Sequence, residues 1–201
     1  MNQIRAKKRL IIGISGASGI IYGIRLLQLL KNTEYETHLV MSKAAQQTRT
    51  YETELSAAQL SALADNTYNI NDIAASIASG SFKTAGMIIA PCSMRTLADI
   101  ACGTTSNLLT RAADVVLKER RRLVLMPRET PLHLIHIENM KRVTEAGAII
   151  APPTPAFYNQ PETLDDIINH TVGRILDLFD IEVGCVKRWN CPSPEVELAV
   201  E

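Results

Sequence analysis

Several short segments of this chain combine small, hydroxylic and cationic residues in the way an anion site needs. In Gly16-Ala17-Ser18-Gly19 the glycines let the backbone come close to a ligand, and a helix starting there would offer N–H groups to a phosphate. A tight turn would use the same glycines. Ser42-Lys43 and Ser93-Met94-Arg95-Thr96 add hydroxyls, N–H groups and cations. Arg128-Glu129 sets a guanidinium suited to bidentate phosphate binding beside a carboxylate able to move a proton. Arg111 and Lys118 lie two helical turns apart and so share a face. Arg174 has apolar neighbours; it can turn inward as a phosphate anchor or snorkel to solvent.

Other candidates read more plainly. Cys92 has no recognisable base beside it and suits a small buried thiol. His133-x-x-His136 lacks the H-E-x-x-H spacing and an evident third ligand, so no metal site is expected. Lys118-Glu119-Arg120-Arg121-Arg122 is a charge run at a helix end, where cations favour the dipole, and Arg120 to Arg122 are expected in solvent. Asp165-Asp166 suits the first turn of a helix. Gly16 to Gly19 do not complete G-x-G-x-x-G, and Met41-Ser42-Lys43 offers no acid for an adenosine ribose, which counts against a dinucleotide enzyme.

The elements that must hold these residues follow from the hydrophobic pattern. Apolar runs of strand length occur at 10–14, 38–41, 87–90, 123–126 and 148–151. Helix-period segments follow them at 20–30, 44–51 with 56–64, 94–101 with 107–119, 132–145 and 164–179. Strands that are apolar throughout suggest a parallel sheet covered on both faces, and the alternation reads as α/β. Ligands of such sheets bind beyond the carboxyl ends of the strands, where the segments above fall. One domain over residues 1–201 is expected, with 182–201 as a C-terminal arm containing Cys191-Pro192-Ser193-Pro194.

Composition narrows the function classes. The chain has 201 residues, with 21 Lys+Arg against 21 Asp+Glu, so no basic excess meets a nucleic-acid backbone. Hydrophobic residues make up 46%, which excludes a disordered chain, and aromatics only 4%, too few for base-stacking platforms. Cys92, Cys102, Cys185 and Cys191 form no C-x-x-C pair and read as reduced thiols. Arg5, Lys7, Lys8 and Arg9 precede an uncharged run, but Gly13, Gly16, Gly19 and Gly23 break it, which fits neither a signal peptide nor a membrane span. A soluble, cytoplasmic protein is expected.

Taken together, the motifs resemble one family. Gly13-Ile14-Ser15-Gly16-Ala17-Ser18-Gly19, Met41-Ser42-Lys43-Ala44-Ala45, Ala90-Pro91-Cys92-Ser93-Met94-Arg95-Thr96-Leu97-Ala98, Arg111-Ala112-Ala113-Asp114-Val115, Leu117-Lys118-Glu119-Arg120, Pro127-Arg128-Glu129 and Pro155-Ala156-Phe157-Tyr158 occur in the order found in flavin prenyltransferases of the UbiX type. These were once described as phenylacrylic acid or polyprenyl-hydroxybenzoate decarboxylases. The resemblance covers residues 10 to about 181. It implies a single-domain Rossmann or flavodoxin-like three-layer fold with a mostly parallel sheet. It also implies non-covalent FMN and large homo-oligomers, often dodecamers, and no metal. The implied reaction joins a dimethylallyl group from dimethylallyl monophosphate to reduced FMN, through bonds at N5 and C6 that close a fourth ring. The product, prenylated FMN, would serve a separate UbiD-type decarboxylase, as in ubiquinone biosynthesis.

The resemblance also implies residue roles. Gly16, Ala17 and Ser18 would contact the flavin phosphate and ring, with Ser18 near the reacting centre. Ser42, Ser93, Met94, Arg95, Thr96 and Arg128 would be further flavin contacts. Lys118, Tyr158 and Arg174 would hold the prenyl phosphate, with Arg111 a cation close by. Glu52 and Glu129 would handle protons. Several of these sites would be built across subunit boundaries. The residue types fit the chemistry: leaving phosphate needs preplaced cations, an allylic cation needs a dry pocket, and the C6 proton needs a base. Glu52, Glu129 and the released phosphate all qualify for that last part. A flavin-dependent decarboxylase of the phosphopantothenoylcysteine type is the alternative, but it relies on a histidine that these segments lack.

Overall fold

The computed structural model describes residues 7–31 and 33–189. The chain divides into two compact units, residues 1–153 and 154–201. Arg5 and Cys191 lie outside the described residues, as does the arm beyond residue 189.

The first unit holds the sheet. Its elements are β1 (Lys8–Ile14), α1 (Ile20–Leu30), β2 (Tyr35–Met41), α2 (Lys43–Glu52), α3 (Ala57–Ser61), β3 (Asn66–Tyr68), a 3-10 turn at Ser76–Ala78, β4 (Gly86–Cys92), α4 (Met94–Ala101), α5 (Leu108–Lys118), β5 (Arg122–Pro127), α6 (Leu134–Glu145) and β6 (Ile149–Ile150). Among the described residues the sheet has six strands, all parallel, in the order β3-β2-β1-β4-β5-β6. The strand order reverses between β1 and β4, which makes that pair the switch point of the sheet. With helices on both faces, this is a flavodoxin- or Rossmann-like α/β fold.

β4, and β1 from Leu10 onward, are apolar because both faces are covered. Ile11, Met87, Ile89, Leu97, Leu109, Val116 and Leu125 form one core cluster beneath α4 and α5. On α1, Ile24, Leu26 and Leu27 are buried, each worth about 1.5–3 kcal/mol. Gly23 lets α1 lie close to the strands: a β-carbon there would stand 2.5 Å from the Ala90 carbonyl oxygen and 2.7 Å from Ile14 Cδ1.

Two parts of the sheet depart from the pattern read in the sequence. β3 was not expected, since Asn66-Thr67-Tyr68 is no apolar run. Polar bonds hold it instead. Thr37 N donates to Asp65 Oδ2 at 2.8 Å, Asp65 N donates to Thr37 Oγ1 at 3.0 Å, and the Tyr68 hydroxyl meets His38 Nδ1 at 2.9 Å. β6 shrinks to two residues, although Ala151 N still donates to Leu125 O at 2.8 Å.

The helices begin at identifiable caps. Ser42, Ser56, Ser93 and Asn107 each accept a backbone N–H with the side chain at the N-termini of α2, α3, α4 and α5. His133 caps α6 by accepting from His136 N at 3.4 Å, so the spaced histidine pair starts a helix. Among the described residues no helix is long and apolar enough to cross a membrane.

The second unit contains α7 (Leu164–Asp177). Thr163 and Asp166 form a capping box: Asp166 N donates to Thr163 Oγ1 at 3.1 Å, and Thr163 N donates to Asp166 Oδ2 at 2.8 Å. The acidic pair expected at a helix start is there, and one member closes the cap. α7 buries His170, Val172, Ile175 and Leu176.

Candidate active site

The loops after β1, β2 and β4 meet at the carboxyl edge of the sheet. Ser15 ties two of them together. Its hydroxyl donates to Pro91 O at 2.9 Å and accepts from Ser93 N at 2.6 Å. Ser42 N donates to Ile14 O at 3.0 Å, which anchors the third loop to the end of β1. A cavity of about 360 Å³ opens there, lined by Gly16, Ser42, Ser93, Arg95 and Thr96 among others. That volume is in the range of small-molecule sites. Gly16 has room for no side chain, since a β-carbon would overlap the Ala44 methyl.

The lining suits a ligand that carries phosphate. Ser42 accepts from Ala45 N at 3.0 Å, which leaves its own proton for a ligand. Ser93 accepts from Thr96 N at 3.3 Å and donates to Thr96 Oγ1 at 3.1 Å. Lys43 and Arg95 supply cations, and Ile70 and Leu109 supply apolar surface. Ile70, Asn71 and Asp99 were not expected in the lining. Ile70 and Asn71 lie in the loop after β3, which is held where Leu108 N donates to Ile70 O at 2.8 Å.

A second cluster surrounds Ser18. Glu52, the last residue of α2, accepts from Gly19 N at 2.8 Å and Ile20 N at 3.0 Å through Oε2. Arg128 Nε donates to Ser18 O at 3.3 Å. Burial pushes the Glu52 carboxyl up. Hydrogen bonds from the Ser18 hydroxyl and from Gly19 and Ile20, with the charge of Arg128, outweigh burial and leave it below the usual carboxylate range. The α1 N-terminus was expected to offer its N–H groups to a phosphate. Instead Glu52 takes those of Gly19 and Ile20, which corrects that reading.

The remaining expected site residues lie on several elements. Met94 is half-buried beside the cavity residues Ser93 and Arg95, and Ala17 is buried. Glu129 is exposed and accepts from Thr130 N at 3.0 Å. Arg111, in the first turns of α5, pairs with Asp114 at 2.8 Å. Lys118 ends the same helix, paired with Glu119. The start of α5 reaches the cavity through Asn107 and Leu109. Lys118 stands ten residues further on, about 15 Å along the axis, at the opposite edge of the sheet, so one chain does not bring it to the cavity. Tyr158 and Arg174 belong to the second unit, where Arg174 Nη1 pairs with Asp177 Oδ2 at 2.7 Å.

Three other sequence readings can be placed. Cys92 is fully buried, and burial pushes its thiol up to about 12. Cys102 is an exposed free thiol. Arg121 is not solvated as expected; it donates to Gly80 O at 2.6 Å and Phe82 O at 2.8 Å, pinning the loop before β4.

The flavoprotein family model matches residues 2–176. Flavin prenyltransferase UbiX of Escherichia coli K12 is 62% identical over 186 residues, covering 91% of this chain and 98% of the relative. The enzyme of the same name from Thauera aromatica is 56% identical over 191 residues, covering 95% and 98%.

The chain belongs to the UbiX flavin prenyltransferase family.

Solved structures agree. AnUbiX (PadA1), in complex with FMN and dimethylallyl pyrophosphate, superposes with a TM-score of 0.91 at 51% identity, covering 93% of this chain and all of that one. A dodecameric FMN-dependent UbiX-like decarboxylase from Escherichia coli O157:H7 gives 0.89 at 53%, covering 91% and all of that chain. The peptidyl-cysteine decarboxylase EpiD, at 17% identity and 0.63, shares the fold alone.

Proposed function

We propose that this UbiX-family chain transfers a dimethylallyl group from dimethylallyl monophosphate to reduced FMN and releases phosphate. One observation carries the reading. The switch-point cavity combines a side-chain-free approach at Gly16 with the hydroxyls of Ser42, Ser93 and Thr96 and a cation at Arg95. Reduced FMN, when bound, supplies the N5 and C6 positions to which the prenyl group is joined. Gly16, Ala17, Ser18, Ser42, Ser93 to Thr96 and Arg128 hold and orient it.

Lys118, Tyr158 and Arg174 receive the prenyl phosphate, with Arg111 assisting. Preplaced cations and a hydroxyl lower the barrier to C–O cleavage because they meet charge that grows as phosphate leaves. Water must be excluded while the allylic cation lasts. Glu52, Glu129 or the released phosphate then takes the C6 proton. The depressed pKa keeps Glu52 ionised at neutral pH, in the form able to accept a proton, though as a weak base. The chemistry calls on no metal. No histidine is among the cavity's lining residues, which disfavours a phosphopantothenoylcysteine-type decarboxylase.

Assembly of copies, as in a dodecamer, supplies what one chain does not bring together. Two features support it: the position of Lys118, and the exposed apolar side chains Leu134, Ile135 and Ile137 on α6. The product then passes to a UbiD-type decarboxylase, as in ubiquinone biosynthesis, in the cytoplasm. Phosphate release tests the reading. Anaerobic incubation with dimethylallyl monophosphate should liberate inorganic phosphate with reduced FMN and none with oxidised FMN. Equal release with both flavins contradicts it.

A further inference from the structure

Tyr158 and His170 are paired within the second unit. His170 Nε2 lies 3.2 Å from the Tyr158 hydroxyl. The two rings meet edge-on with centroids 5.5 Å apart, and Trp189 meets the same phenol ring edge-on at 5.3 Å. The rings fix where the phenol stands. They do not fix which way its proton points, and that direction depends on the imidazole.

His170 is 5% exposed, whereas Tyr158 is 45% exposed. Among the described residues His170 Nδ1 is buried without a hydrogen-bond partner. Burial, then the charge of Arg174, pushes the imidazole pKa below its ordinary value, against a smaller opposing effect of Asp177. The ring is therefore neutral at neutral pH, with one N–H and one lone pair. On the main chain a buried N–H without a partner is rarer than an under-satisfied acceptor, and an imidazole N–H is a donor of the same kind. The tautomer that leaves only a lone pair at Nδ1 carries its hydrogen on Nε2, so Nε2–H donates to the Tyr158 oxygen. The phenol must then send its own proton elsewhere. A phosphate dianion offers acceptors only, so it needs that proton. The reverse arrangement, with the phenol donating to His170, would present oxygen lone pairs to phosphate oxygens.

We infer that His170 is a positioning residue: it donates to the Tyr158 oxygen and so aims the phenol proton at the prenyl phosphate. This rests on the reading that Tyr158 contacts that phosphate. His170 is buried behind the half-exposed phenol, so it acts through Tyr158.

A double-mutant cycle tests the inference. His170→Phe, Tyr158→Phe and the double variant are compared by anaerobic kinetics with dimethylallyl monophosphate and reduced FMN, and by Kd for FMN. Each single variant should raise KM for dimethylallyl monophosphate about five- to tenfold, the size of one lost hydrogen bond, with the Kd for FMN unchanged. The double variant should be no worse than Tyr158→Phe. His170→Gln, whose amide nitrogen can donate, should recover most of the loss. If His170→Phe does not fold, His170→Asn takes its place, being too short to reach the hydroxyl, and must show the same rise in KM. Independent, multiplying effects in the double variant overturn the inference. So does an unchanged KM in the His170 variants while Tyr158→Phe raises it. An unchanged KM in Tyr158→Phe instead overturns the phosphate reading of Tyr158, and the role of His170 falls with it.

Discussion

The Glu52 carboxylate closes the N-terminus of α1, with Oε2 2.8 Å from the Gly19 nitrogen. Gly19 has φ +100°, a left-handed conformation that favours glycine, and supplies no capping side chain of its own. A residue from the end of α2 therefore does what an N-cap does elsewhere, and it fixes the Ser18 loop in the same act. Glu52→Ala should cost about 1 kcal/mol, the lower part of the range for helix caps, because the carboxylate is exposed to solvent. Glu52→Gln should lose less, since an amide oxygen still accepts. Urea unfolding of the three proteins at neutral pH measures this.

The same carboxylate makes stability depend on pH. Its folded pKa lies below the unfolded value, against burial, through bonds from Ser18, Gly19 and Ile20 and the charge of Arg128. Its contribution is therefore complete above the ordinary carboxylate range, about pH 4, and is lost as pH falls through the folded value. Glu52→Gln should show a smaller fall in urea stability between neutral and acid pH than the unaltered chain. Parallel pH profiles would show that the bonds contribute nothing through ionisation.

Ser15 is buried and bonds to both Pro91 and Ser93. Ser15→Ala leaves the Ser93 N–H without its acceptor at the cavity wall. The expected cost is about 1–3 kcal/mol, seen as a lower Tm, together with weaker FMN binding in a fluorescence-quenching titration. An unchanged FMN affinity would separate this hydrogen bond from the flavin site.

Cys92 offers a clean negative control for nucleophilic catalysis. Its thiol is buried and its pKa is pushed up to about 12, so thiolate is scarce at neutral pH. Cys92→Ala should keep most of kcat, and iodoacetamide should leave Cys92 unlabelled in the folded protein. Loss of turnover with normal folding would return this cysteine to the mechanism.

α6 leaves Leu134, Ile135 and Ile137 exposed. If these residues bury against a neighbouring copy, Leu134→Glu with Ile137→Glu should reduce the assembly to smaller species by light scattering. On the proposed role of Lys118 in a neighbouring copy's cavity, turnover should fall with it. Full-sized assemblies in the double variant would place the interface elsewhere.

The parts of the fold and site that could be read from the sequence are those set by local pattern. β4, and β1 from Leu10 onward, are continuous apolar runs, and the small and hydroxylic residues directly after them locate the sheet edge where the cavity opens. What could not be read depends on distant pairs. β3 is held by Thr37–Asp65 and His38–Tyr68 rather than by a hydrophobic run, so the loop that brings Ile70 and Asn71 to the cavity had no signal. Glu52 and Gly19 are 33 residues apart, and no spacing rule joins the end of one helix to the start of an earlier one. Likewise Arg121 reads as a charge at a helix end until Gly80 and Phe82 turn their carbonyls to it.

The proposed phosphate-binding roles can be separated from cofactor binding. Arg174→Ala should lower prenylation at least a hundredfold, a loss of about 3 kcal/mol of transition-state stabilisation, while FMN stays bound. Glu129→Ala should also keep FMN and lose turnover if this carboxylate moves the C6 proton. Full activity in both variants would contradict the assignments.

The central claim is tested most directly by the mass of the flavin. The protein is incubated anaerobically with reduced FMN and dimethylallyl monophosphate, and the flavin is extracted for mass spectrometry. A flavin heavier than FMN by one five-carbon prenyl unit is the expected result. Unmodified FMN after prolonged incubation with folded, flavin-loaded protein would contradict the prenyltransferase reading.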